Sequence, residues 1–290
     1  MKQGKVLVTG ANGQVGQALR HIAPLHPGFD FVFLSREDMP IHHFQGIRNV
    51  FDAVKPDALV NCAAYTAVDR AESERDLAML VNAEAPGALA SVCLEHGTRF
   101  IHLSTDYVFD GKANTPYRED DPCEPASVYG ISKREGEIRV LEADPDAVVV
   151  RTSWVYHEHG KNFVKTMMRL MGERERIGVV NDQHGSPTYA GDLADCILTI
   201  LESDVKASGI FHYSNEGDIT WYDFAVAIRD ILGSHCIVDA ITTEQYPTPA
   251  PRPAYSVLDK DKIRRTFGIR LVPWRESLEK CIAGLQAQRD

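Results

Sequence analysis

The chain has 290 residues, 44% hydrophobic and 25% charged, which gives room for a sizeable core in one or two domains. Its formal net charge of -10 argues against nucleic acid as a partner, because a phosphate-binding surface needs a basic excess. The six cysteines form no C-x-x-C, no continuous apolar run approaches the ~18 residues of a spanning helix, and no signal-peptide core is visible, so a cytoplasmic enzyme is expected.

Lys5–Thr9 reads as a short β-branched strand, followed by Gly10-Ala-Asn12-Gly13-Gln14-Val15-Gly16 and a helical pattern over Gln17–Ile22. Strand, glycines and helix in that order form the context of a dinucleotide-binding loop. Gly10 allows the tight turn, Gly13 lets backbone approach a diphosphate, and Gly16 lets helix and strand pack closely. Phe29–Leu34 is the second strand, and Ser35-Arg36-Glu37-Asp38 follows where such folds read the adenosine ribose. Arg36 can pair with a 2′-phosphate, and Ser35 at the strand tip leans the reading towards NADPH. The alternative makes Arg36 a solvated charge and gives a ribose hydroxyl to Glu37 or Asp38.

A third βα unit leads into a strand at Ala58–Asn61, after which Cys62-Ala63-Ala64-Tyr65 are small residues against which a cofactor can lie. A long helical pattern runs from Asp76 to about His96, with Asn82 in its middle, where a polar side chain facing inward needs a partner. The next strand, Arg99–Leu103, runs into Ser104-Thr105-Asp106. Tyr129 and Lys133 share one face of the following helix, one turn apart. Ala147–Thr152 is another buried strand. This alternation of βα units with near-continuous apolar strands predicts an α/β fold, a Rossmann-type doubly wound parallel sheet over residues 1–152 to which later segments return. Residues 153–290 predict a small α/β substrate-binding domain capping the carboxyl edge of the sheet, with helices at Asn162–Leu170, Gly191–Leu201, Trp221–Leu232 and Trp274–Leu285.

With a nicotinamide at the sheet edge, Tyr129 can donate a proton to a carbonyl oxygen as hydride reaches the carbon. Its ordinary pKa near 10 is high for acid–base work, and Lys133 is expected to lower it. Thr105 can hydrogen-bond the same oxygen or the phenol. Asp106 reads as an acceptor for a substrate hydroxyl or as a local turn cap. Trp154 reads as a stacking surface or as a buried strand-end residue, and Arg252 as a diphosphate ligand or a loop ion pair. His42-His43 and His157-Glu158-His159 lack the spacing of a metal site and read as surface residues.

Motifs spread over nearly the whole chain carry a family resemblance: Val6–Gly16, Val60–Asp69, Ser104–Gly111, Val128–Lys133, Arg151–Tyr156, Asn162-Phe163, Asn181–Thr188 and Pro247–Pro253. Together they resemble the extended short-chain dehydrogenase/reductases, and within them the dTDP-4-dehydrorhamnose reductase family. The resemblance implies NADPH- or NADH-dependent reduction of the 4-keto group of dTDP-4-dehydro-L-rhamnose. It implies Tyr129 as acid, Lys133 as its tuner and ribose anchor, and Thr105 as hydroxyl partner. Thr105, Asp106 and Trp154 fall on substrate positions, with Asn162 and Arg252 assigned beside them. Gly13, Gln14, Val15, Ala64, Tyr65 and Leu103 fall on cofactor positions, with Gly10, Asn12, Gly16, Arg36 and Ala63 assigned beside them. Two departures stand out. Pro40-Ile41 replaces an acidic–aliphatic pair near the adenine, so Ile41 makes that contact by backbone or packing. Ala18 replaces a glutamate that some relatives use in a dimer-bridging magnesium site, so no metal is expected, and the chain is read as a monomer or homodimer without membrane or nucleic-acid partners. Two rivals share the scaffold. Sugar-nucleotide dehydratases carry a glutamate where this chain has Tyr107, and a regulatory subunit like the methionine adenosyltransferase beta subunit would not need the hydroxyl–Tyr–Lys set.

Overall fold

The structure, a computed structural model, describes residues 4–288. The outermost residues of the two expected domains, 1–3 and 289–290, lie outside the described residues. The first half alternates strand and helix: β1 (Gly4–Thr9), α1 (Gln14–Ile22), β2 (Phe29–Leu34), α2 (Phe44–Val54), β3 (Ala58–Asn61), then a continuous helix α3 (Arg75–His96). β4 (Arg99–Thr105), α4 (Val128–Ala143) and β5 (Val148–Thr152) complete it. The second half contributes α5 (Phe163–Glu173), β6 (Arg176–Val180), α6 (Ala190–Glu202), β7 (Gly209–His212), α7 (Trp221–Leu232), β8 (Ile237–Ile241) and α8 (Trp274–Ala287).

A six-stranded, wholly parallel sheet has the order β7-β5-β4-β3-β1-β2. The period-2 alternation of strands explains its two cores. Val6, Val8, Val60, Ile101, Val148 and Val150 face α1 and α6, while Leu7, Leu59, Phe100 and Val149 face α2, α3 and α4. Such burial on both faces is what the near-continuous apolar strands predict. The sheet also takes elements from the later sequence: β7 pairs along β5, α6 packs beside α1, and Ile263 and Phe267 of the helix Asp261–Phe267 join the same core. A separate core holds the rest of the second half, where α5, α7 and α8 surround the parallel pair β6–β8 through Val164, Met167, Phe224, Ile228, Leu278 and Ile282. Thr220 and Asp223 form a reciprocal capping box that starts α7.

Helix α3 follows the helical pattern expected from Asp76 to about His96. It has 22 residues, and its most apolar window has a mean hydropathy of 1.5, so by length and composition it is long and apolar enough to cross a membrane, although no apolar run within it is unbroken. Half of its most apolar window is buried in this structure, with Ala85, Leu89, Val92 and Cys93 in the core against the sheet. Its π turn at Leu80–Glu84 carries Asn82 inward. There Asn82 accepts from the Tyr65 N–H at 2.8 Å and donates to the Tyr65 carbonyl and the Ser132 hydroxyl, both at 3.0 Å. The mid-helix asparagine thus satisfies its polar atoms by fixing the loop after β3.

Candidate active site

The chain turns sharply after β1 because Gly10 adopts φ +66°, and a Cβ there would lie 2.6 Å from the Ala63 nitrogen. At Gly16 a Cβ would lie 2.5 Å from the Gly10 carbonyl oxygen, so only glycine lets α1 start this close to the turn. Gly13 is the N-cap of α1; no side chain caps it, and the first turn carries no acidic residue. The N–H groups and the positive end of the helix therefore favour an anion.

A cavity of about 680 Å³ opens at this point, over the carboxyl ends of β1 to β5 and centred where the strand order reverses between β1 and β3. Gly10, Asn12, Gly13, Gln14, Val15, Arg36, Ile41, Ala63, Ala64, Tyr65, Leu103, Tyr129 and Lys133 all line it. Gly16 sits behind the loop as a packing residue. A dinucleotide fits these residues: the glycine cradle admits backbone against a diphosphate, and the cavity volume lies within the usual range for cofactor sites.

At the β2 end, Ser35 draws both neighbouring carboxylates onto itself. Its hydroxyl donates to Glu37 at 2.8 Å, and its N–H donates to Asp38 at 2.8 Å. These hydrogen bonds hold both carboxyl groups below their ordinary pKa. Arg36 has no ion-pair partner among the described residues and faces the cavity. His42 lines the same wall and is half-buried, which corrects its reading as a surface residue. Burial and the adjacent His43 and Arg36 lower its pKa.

At the β4 end, Ser127 caps α4 by accepting from the Gly130 N–H at 3.1 Å. A Cβ on Gly130 would lie 2.2 Å from the Tyr107 carbonyl oxygen, so the helix start is pressed against the segment that carries Thr105 and Asp106. Tyr129 and Lys133 share the inward face, as the spacing predicts. Lys133 Nζ donates to the Leu103 carbonyl at 2.6 Å and lies 3.4 Å from His102 Nε2. His102 in turn meets Asn61 at 3.0 Å, and Asn61 accepts from Thr9 at 2.6 Å. This buried chain fixes the ammonium under the cavity.

The electrostatics correct a second expectation. Burial pushes the Tyr129 phenol up to about 12, against a Thr105 hydrogen bond that favours phenolate, and nearby Asp106 raises it further. Lys133 is not among the groups that shift the phenol; its ammonium donates to the Leu103 carbonyl, and burial lowers its own pKa to about 8. A phenol held this high keeps its proton at neutral pH and is still far more acidic than the alcohol formed when a ketone is reduced. Asp106 is buried and raised to about 6 by that burial, against hydrogen bonding from Ser256 and Thr105; Oδ1 accepts from Thr105 at 3.0 Å while Oδ2 has no donor within hydrogen-bond geometry. A buried acceptor lacking a donor is what a hydroxyl-bearing ligand would satisfy.

The family model described as RmlD substrate binding domain matches residues 4–287. The chain belongs to this RmlD family. A dTDP-4-dehydrorhamnose reductase of Aggregatibacter actinomycetemcomitans is 41% identical over 285 residues, covering 95% of this chain and 97% of that protein. The crystal structure of a dTDP-4-dehydrorhamnose reductase from Clostridium acetobutylicum superposes with a TM-score of 0.93 at 40% identity, covering 97% of this chain and 99% of that one. The enzyme of the same name from Bacillus anthracis, solved in complex with NADP, also gives a TM-score of 0.93, at 37% identity over 98% and 100% of the two chains.

In this RmlD-family chain the remaining assigned residues stand outside the cavity lining. Trp154, at φ 48°, stacks on Trp221 with ring centroids 3.5 Å apart, and Gly185 packs against its indole. Asn162 caps α5 and donates to Gln14 Oε1 at 2.9 Å. Arg252 forms a bidentate ion pair with Asp69, both bonds 2.9 Å. His157 is buried rather than at the surface, since Asn162 ties its carbonyl inward at 2.6 Å. Among the described residues no group of three or more His, Cys, Asp or Glu side chains could hold a metal ion. Cavity residues to which the sequence reading gave no site role include Thr66, Arg70, Glu74, Thr152, Val155, Gly160 and Lys161. For the last three, the available signal was Gln14, a long polar side chain in a loop otherwise made of small residues.

Proposed function

We propose that this chain reduces the 4-keto group of dTDP-4-dehydro-L-rhamnose, giving dTDP-L-rhamnose, with NADPH or NADH as reductant. The observation that carries the reading is Tyr129, still protonated, beside Thr105 at the mouth of a dinucleotide-sized cavity, in a chain whose full-length relatives bear that enzyme name. A bound nicotinamide supplies the hydride. Tyr129 donates its proton to the developing alkoxide, Thr105 hydrogen-bonds the same oxygen, and Lys133 anchors the ribose. Asp106 accepts from a sugar hydroxyl, and Trp154, Asn162 and Arg252 serve the nucleotide-sugar side. In this assignment residues 1–152, with β7 and α6, hold the cofactor, and most of residues 153–290 hold the substrate. The enzyme works in the cytoplasm as a monomer or homodimer, without a metal.

Elimination chemistry is disfavoured by Tyr107, whose ring meets the Tyr129 ring edge-on at 5.6 Å where dehydratases carry a carboxylate. The deciding assay offers dTDP-4-dehydrorhamnose with each cofactor and follows nicotinamide absorbance. Oxidation with equimolar dTDP-rhamnose is expected, and no oxidation with either cofactor would discard the assignment.

Two further outcomes follow from the site. Arg36→Ala should weaken NADPH binding by about tenfold, the scale of one hydrogen bond to a charged group, while NADH changes little. Equal losses in calorimetric titrations would make Arg36 a bystander. Lys133, lowered to about 8, loses its charge within the working pH range. kcat/KM for the cofactor, which reports the free enzyme, should therefore fall as pH rises through about 8, and Lys133→Met should lack that limb. A flat profile in the unaltered enzyme from about pH 7 to 9 would contradict the assignment of Lys133.

A further inference from the structure

Gln14 ties the glycine loop to the second half of the chain by hydrogen bonds. Gln14 Nε2 donates to the Val155 carbonyl at 3.2 Å, and Gln14 Oε1 accepts from Asn162 Nδ2 at 2.9 Å. Gly160, at φ +78°, lies against the same side chain, and a Cβ there would sit 3.2 Å from Gln14 Cγ. Positions 160 and 162 are thus both held on the loop, and Lys161 between them lines the cavity with Gly13 and Gln14.

A dinucleotide diphosphate carries two negative charges, and residues 10–16 offer it no cationic side chain. The other cations of the cavity are committed or remote. Lys133 is held by the Leu103 carbonyl, Arg70 is paired with Glu74, and Arg36 stands beyond the end of β2. Lys161 is exposed, and its ammonium has no ion-pair or hydrogen-bond partner among the described residues.

We propose that Lys161 is a ligand of the cofactor diphosphate, supplied by the second half of the chain, so that the segment from Val155 to Asn162 completes the nucleotide site. The proposal rests on the reading that this cavity holds NADPH or NADH. Its consequence is that the cofactor is gripped from both halves, and release requires Lys161 to withdraw.

NADPH and NADH share the diphosphate and differ only at the 2′ position, which gives the test its signature. Calorimetric titration without sugar nucleotide should show Lys161→Ala weakening both cofactors by the same factor, about five- to tenfold for one partly solvated charge-assisted contact. The loss should shrink in about 0.5 M salt, where screening is strong, and Lys161→Arg should retain affinity. Because Lys161 is exposed, the variants keep the fold. Unchanged affinities, or a loss confined to NADPH, would overturn the proposal. Failure of the unaltered chain to bind either cofactor would instead remove the reading beneath it.

Discussion

Tyr129→Phe lowers turnover by on the order of 10²–10⁴, the usual contribution of a positioned acid, while the cofactor dissociation constant stays within about twofold. The change removes one oxygen and keeps the ring, so the edge contact with Tyr107 and the helix start at Ser127 survive. What is lost is the proton that Tyr129 holds against a pKa of about 12, next to the Thr105 hydroxyl. Single-turnover measurement of nicotinamide oxidation, paired with cofactor titration, separates the chemical step from binding. Turnover within about threefold of the unaltered enzyme would sink the assignment of the acid, since removing a general acid costs far more than that.

Arg151→Met destabilises the fold by about 3 kcal/mol, the lower end of the cost of breaking a buried ion pair, because Arg134 still meets Glu137. Arg151 and Glu137 have no exposed side-chain surface and meet through two bonds of 2.8 Å. The guanidinium also lies 4.9 Å from the Phe109 ring centroid, 3.3 Å from His212 Nε2, and donates to Cys123 Sγ at 3.2 Å. Without it, Glu137 keeps only Ser104 at 2.6 Å and Arg134 at 2.9 Å. Typical domains are stable by only about 5–15 kcal/mol, so the change is severe. The pH dependence has a definite sign. Burial works to raise the Glu137 pKa, but Arg151, Ser104 and Arg134 hold it below the ordinary value. The pair therefore stabilises the fold above the unfolded carboxylate pKa of about 4.3 and is lost as pH falls through the lower folded value. Urea unfolding should show the gap between Arg151→Met and the unaltered chain narrowing in acid, and Glu137→Met added to Arg151→Met should recover much of the loss. A single-variant cost under about 1 kcal/mol would show that the site relaxes or admits water, and would refute the buried-pair account.

Local pattern carried a large part of this protein. Strands β1 to β5 and the main helices follow apolar periodicity that each segment displays alone, so their types and most of their limits are readable without partners. The glycine loop is legible for the same reason: Gly10 and Gly16 answer a steric demand made by residues close by in sequence. Tyr129 and Lys133 are legible because a helix converts a spacing of four into one face.

Pairings between distant segments were decided by the tertiary structure. β7 is only Gly209–His212, too short to show a period, and becomes a sheet strand because β5 presents an open edge beside it. Arg252 finds Asp69 from 183 positions away, and Trp154 finds Trp221. Lys161 enters the cofactor cavity because Gln14 and Asn162 meet across the two halves. The charge states belong to this second group as well. Spacing predicted that Lys133 would acidify Tyr129, but burial raised the phenol and the Leu103 carbonyl took the ammonium. A residue's neighbours in sequence set its backbone, whereas desolvation and partner choice depend on which remote atoms close over it, and those are fixed only when the chain packs.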